Sequence, residues 1–105
     1  MGRAEALLHM KPQLIADVQL YPTGDGGKTR AALPGWGCPL MVSKMQPLVG
    51  YDGWPLLGNE PLHPGDQRRV GFVFLSPEKA DIIRRAGHFY LWEDHFVGEG
   101  NVVSE

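Results

Sequence analysis

Gly24-Asp25-Gly26-Gly27-Lys28-Thr29 is the stretch of this sequence that most invites chemistry. A glycine-rich turn that follows a strand and ends Gly-Lys-Thr can cradle the phosphates of a nucleotide, with backbone N–H groups and the lysine around the anion. The spacing excludes it. The cradle needs a glycine five residues before Gly27, and that position holds Pro22. It also needs a helix whose amino terminus faces the phosphates, whereas Ala31-Ala32-Leu33 runs straight into Pro34-Gly35. The stretch reads as a plain turn, and no nucleotide is expected.

The other reactive side chains are scattered. His9, His63, His88 and His95 form no pair at metal-ligand spacing, and Cys38 has no second cysteine, so neither a metal site nor an internal disulfide is expected. Within Trp36-Gly37-Cys38-Pro39 the thiol reads as buried and inert rather than as a low-pKa nucleophile. Ser43, Ser76 and Ser104 sit in no nucleophile elbow. Glu93, Asp94 and Glu99 gather near the carboxyl end, which a solvated turn explains better than an acid/base pair. No catalytic set emerges. The expectation is a chain that is not an enzyme and needs no cofactor.

A binding surface is the feature that survives. In Phe89-Tyr90-Leu91-Trp92, alternate residues of a strand point to opposite sides. With Phe89 and Leu91 inside, His88, Tyr90 and Trp92 share the outer side and are the candidate partner-binding residues. Trp and Tyr dominate the energetics of protein interfaces. The alternative is that the amino-terminal arm, or a helix carrying Ile82 and Ile83, covers these rings within one chain. Trp36 and Trp54, in Gly-Trp-Gly and Asp-Gly-Trp-Pro segments, are expected in loops that plug a barrel end.

The elements that must position these residues are mostly short strands. The chain has 105 residues, of which 43% are hydrophobic and 21% charged, enough for one domain with a modest core. Its 14 Gly and 9 Pro favour strands and turns over long helices. Residues 14–21 alternate, with Leu14, Ala16, Val18 and Leu20 on one side. Further strands are expected at 29–33, 39–43, once within 46–57, at 68–75, 89–92 and 96–103. Val70, Phe72 and Phe74 supply the inward side of the strand at 68–75. Ser76-Pro77-Glu78 opens a helix, with Ser76 as N-cap and Gly87 as its close. The first residues do not read as a signal peptide, and no apolar run approaches the ~20 residues of a membrane span. The lone cysteine suits a reducing cytoplasm. A formal net charge of −2 argues against a free-standing nucleic-acid binder.

Three segments together resemble a known family. They are Leu-Ile-Ala-Asp-Val-Gln-Leu-Tyr followed by Gly26-Gly27-Lys28-Thr29; Leu62-His63-Pro64-Gly65-Asp66 opening a long strand that ends at Pro77; and Phe89-Tyr90-Leu91-Trp92-Glu93 leading to Val97-Gly98-Glu99-Gly100-Asn101-Val102-Val103. Their order and spacing resemble the third domain of translation elongation factor Tu, a small antiparallel β-barrel. The resemblance implies an all-β fold, a six-stranded antiparallel Greek-key barrel with one short helix at about 77–86. Residues 1–12 are then a loosely ordered arm and 13–105 a single stand-alone barrel domain. It also implies a non-catalytic module that contacts a protein or RNA partner in translation. By the same resemblance, Glu93 and Asp94 match hairpin positions that approach the tRNA backbone. The chain departs from the family there: Trp92 replaces a basic residue, and Asp94-His95 replaces a glycine pair. A carboxylate at that position repels phosphate. The alternatives are an interaction protein or homodimer outside translation, and a small-ligand-binding barrel.

Overall fold

In the computed structural model, which describes residues 2–103, the alternation of the first apolar run becomes strand β1, Leu14–Leu20. Leu14, Ala16, Val18 and Leu20 are buried and their neighbours face outward. The strands that follow are β2 (Cys38–Met41), β3 (Tyr51–Leu56), β4 (Gln67–Phe74), β5 (His88–Trp92) and β6 (Phe96–Val102). They close into a barrel in the order β1-β4-β3-β2-β5-β6, with β6 returning to β1 and every pair antiparallel. Strands β2, β3 and β4 pair in sequence while β1 lies beside β4, which is the Greek-key arrangement. Closure gives every strand a partner on both sides, though the short β2 pairs with only part of β3 and β5.

Two prolines sit inside strands without breaking them. Pro55 pairs with Phe72 of β4, but the β2 ladder on its other side stops at Gly53. Pro39 pairs with Asp52, ahead of the first β5 partner at Leu40. In both places the missing N–H falls where no neighbouring strand asks for it. Trp54 therefore belongs to β3 and not to a loop, which corrects the expectation from its glycine and proline neighbours.

Phe72 and Phe89 meet edge to face at the centre of the barrel, 5.5 Å between centroids and 85° between planes. Leu20, Leu40, Leu62, Ile83, Leu91 and Val97 fill the space around them. Fully burying each such side chain contributes roughly 1.5–3 kcal/mol. Gly100 makes the arrangement possible, because a Cβ there would collide with the Phe89 ring. The expected inward set of Val18, Leu20, Val70, Phe72, Phe74, Phe89 and Leu91 is buried throughout.

The helix after β4 opens as a 3₁₀ turn over Pro77–Lys79 and continues as α2, Ala80–Ala86. The Ser76 hydroxyl makes no cap bond, contrary to expectation; the Ser76 carbonyl instead accepts the Lys79 N–H at 2.9 Å. Gly87 closes the helix in the left-handed region at φ 77, donating its N–H to the Ile83 carbonyl. Ile83 and Ala80 enter the core. In the arm, Arg3–Leu7 forms a short helix, α1, with Leu7 buried. The segment at 29–33 is not a strand. It makes one bridge, Ala32 to Leu62, before Pro34-Gly35 turns the chain with Gly35 at φ 97. No helix among the described residues is long and apolar enough to cross a membrane.

Candidate functional site

Strand β5 alternates cleanly: Phe89 and Leu91 are buried, and His88, Tyr90 and Trp92 are half-buried on the outside. The register then places Tyr90 opposite Glu99 and His88 opposite Asn101 on β6. On the far side of β6, Gln19 of β1 lies opposite Glu99 and Asp17 opposite Asn101. A bulge between Leu91 and Trp92 brings Trp92 opposite Phe96. The outcome is a continuous run of edge-to-face rings. His88 and Tyr90 are 4.9 Å apart, Tyr90 and Phe96 5.8 Å, and Phe96 and Trp92 4.9 Å.

Polar groups fix this face from the β1 side. The Tyr21 hydroxyl donates to Glu99 Oε1 at 2.8 Å. Burial, reinforced by that carboxylate, pushes the Tyr21 phenol well above its ordinary range. His88 places Nδ1 2.7 Å from Asn101 Oδ1 and Nε2 3.5 Å from Glu99 Oε2. Above the rings lies Lys44, from the exposed 42–50 loop. Its ammonium is 4.6 Å from the Tyr90 centroid, 5.0 Å from Phe96 and 5.9 Å from Tyr21. Arg3 of the arm lies over Trp54, and Ile83 of α2 points into the core.

Glu93 and Asp94, paired by the family resemblance, are separated by the fold. Glu93 closes one end of the barrel. It forms an ion pair with Lys28, and the Trp36 indole N–H donates to its Oε2 at 2.6 Å. Lys28 is only 7% exposed and lies 5.0 Å from the Trp36 ring centroid. Burial works against the Glu93 charge. The hydrogen bonds from Lys28 and Trp36, with the positive charge of Lys28, outweigh it and hold the carboxyl below its ordinary range. The lysine of the glycine-rich turn is thus committed to a structural pair. Asp94 stands at the exposed hairpin tip with φ 63, a left-handed conformation that Asp tolerates better than most residues.

The remaining candidates are packing groups. The Trp54 indole lies over Gly37, where any Cβ would collide with it, and its buried Nε1 has no hydrogen-bond partner. Burial pushes the Cys38 thiol up to about 12, so it stays protonated at neutral pH. Among the described residues, no group of three or more His, Cys, Asp or Glu side chains could hold a metal ion. Sequence reasoning found His88, Tyr90 and Trp92 but missed Tyr21, Phe96 and Lys44 as parts of the same face. The outward parity of Tyr21, directly after β1, was a usable signal; the position of Lys44 had none. A comparison with protein-family models finds no match, and a comparison with curated proteins finds none either.

Proposed function

We propose that this barrel is a non-catalytic binding module that holds a protein partner through the outer face of β1, β6 and β5. One observation carries the reading: Tyr90, Trp92 and Phe96 form a contiguous half-exposed strip on a barrel whose core is already closed by Phe72 and Phe89. Aromatic strips of this kind supply interface hot spots. Glu99 on the same face, with the net charge of −2, favours protein over RNA. The resemblance to the third domain of elongation factor Tu supports a contact module and makes translation the first place to look. A lone buried thiol suits a reducing cytoplasm. The rival is self-association through the same rings.

The test is capture and sedimentation of the wild-type chain and a Trp92→Ala variant at low and high salt. The variant keeps its fold and loses about 2 kcal/mol or more of binding. The wild-type contact is only weakly salt-dependent, because it rests on apolar area rather than phosphate neutralisation. Unchanged binding by a folded variant overturns the reading. So does RNA capture with a steep salt slope.

A further inference from the structure

Three aromatic rings converge on one ammonium. Lys44 Nζ lies within 6 Å of the centroids of Tyr90, Phe96 and Tyr21, the range in which a ring face attracts a cation. The walls of this enclosure are fixed independently of the lysine. Tyr21 is tied to Glu99 by its hydroxyl, Tyr90 is wedged between His88 and Phe96, and Phe96 is backed by Trp92. Glu99 sits on the strand position facing Tyr90, with its carboxylate accepting from the Tyr21 hydroxyl and lying 3.5 Å from His88 Nε2, so it braces the wall and does not face the cation. The occupant is held differently. Lys44 is exposed, lies in the 42–50 loop beside Met45, which is 77% exposed, and has no ion pair or hydrogen bond from its ammonium among the described residues.

We infer that the rings of Tyr21, Tyr90 and Phe96 form a cation-binding cage for an alkylammonium group, and that Lys44 fills it in cis. The ligand is the side-chain ammonium of a lysine on the protein partner. Methylated forms are favoured, because each added methyl weakens hydration while the ring attraction remains. The identity of the bearer rests on the partner-binding reading above; the cage itself is independent of it. Lys44 acts as a tethered competitor. A group on a short loop is present at its own site at an effective concentration of roughly millimolar, so the wild-type cage binds an external ammonium only after Lys44 leaves. Removing the lysine therefore strengthens binding, whereas loss of a merely structural contact weakens it or changes nothing.

The experiment titrates the full chain with N-acetyl-trimethyllysine amide and with its neutral isostere, in which carbon replaces the quaternary nitrogen. Binding is read from the ring-proton chemical shifts of Tyr21, Tyr90 and Phe96. Lys44→Met and Lys44→Gln bind the charged probe more tightly than wild type, by about ten-fold when Lys44 occupies the cage roughly nine-tenths of the time. The isostere shifts nothing, and adding Tyr90→Leu to Lys44→Met weakens the charged probe, because it removes the nearest ring. Equal affinity in wild type and both Lys44 variants overturns the inference, as does equal binding of the isostere. Loss of probe binding with partner capture still dependent on Trp92 defeats the cage alone. Probe binding with Trp92-independent capture defeats the partner face alone.

Discussion

Tyr21 and Glu99 stand 78 residues apart in the chain and meet through a 2.8 Å hydrogen bond on the outside of the barrel. The bond ties the residue after β1 to the middle of β6, beside the Gln19–Glu99 register pair, and it orients the Tyr21 ring toward Lys44. Because the phenol is raised in the folded chain, its stabilising contribution is complete below its unfolded value of 10.0 and is lost as pH rises toward the higher folded value. Tyr21→Phe loses about 1 kcal/mol at neutral pH and also loses this alkaline decline. Urea midpoints for both chains at neutral pH and above pH 10.0 check it. A decline of equal size in the variant contradicts the assignment.

Glu93 gives the opposite sign. Its carboxyl is lowered in the folded chain, so its contribution is present above the unfolded value of 4.5 and disappears as pH falls through the lower folded value. In Glu93→Gln the Lys28 ammonium, 7% exposed, loses its counter-charge. The expected cost at neutral pH is about 1–3 kcal/mol. Denaturation of wild type and variant across the acid range shows converging stabilities if the pair carries this role, and parallel curves if it does not.

Gly100 and Phe89 compete for one volume. Gly100→Ala is expected to cost about 1–3 kcal/mol through overpacking, and Phe72→Ala about 3–5 kcal/mol through the cavity it leaves. Thermal or chemical denaturation measures both. A neutral Gly100→Ala shows that Phe89 moves freely and that the core is less tightly fitted than its 5.5 Å ring contact indicates.

Asp94 holds a left-handed conformation at φ 63. Asp94→Gly changes stability by less than about 1 kcal/mol, since relief of strain and the added chain entropy offset each other. Asp94→Val costs about 1–2 kcal/mol, because a branched side chain cannot adopt that φ cheaply. Equal effects of the two substitutions, measured by urea midpoint, contradict the turn geometry.

The strands were legible where one face is buried and the other is not. Leu14–Leu20, Gln67–Phe74 and His88–Trp92 announce themselves by alternation, and the inward Phe72 and Phe89 follow directly. Trp54 was misplaced because Gly53 and Pro55 look like a loop. Only the register shows that Pro55 lies beyond the last β2 pair and needs no donor there. The run at 29–33 looked extended but makes only a single bridge, Ala32 to Leu62, with no ladder to either side of it. The site divides in the same way. His88, Tyr90 and Trp92 are a property of one strand, whereas Phe96, Glu99 and Tyr21 join them through cross-strand pairing. Lys44 joins through a loop that folds back, which no local period encodes.

The proposed contact between the β5–β6 outer face and a protein is open to direct capture. A photo-reactive aromatic residue placed at Trp92 tests it most directly, with the same group at exposed Glu78 as control. Irradiation in native lysate is expected to link position 92 to a defined protein, or to a second copy of the chain, and the link is lost when Tyr90→Ala is added. Position 78 yields no such product. Equal products from both positions, RNA in place of protein at position 92, or a link indifferent to Tyr90→Ala would contradict the account.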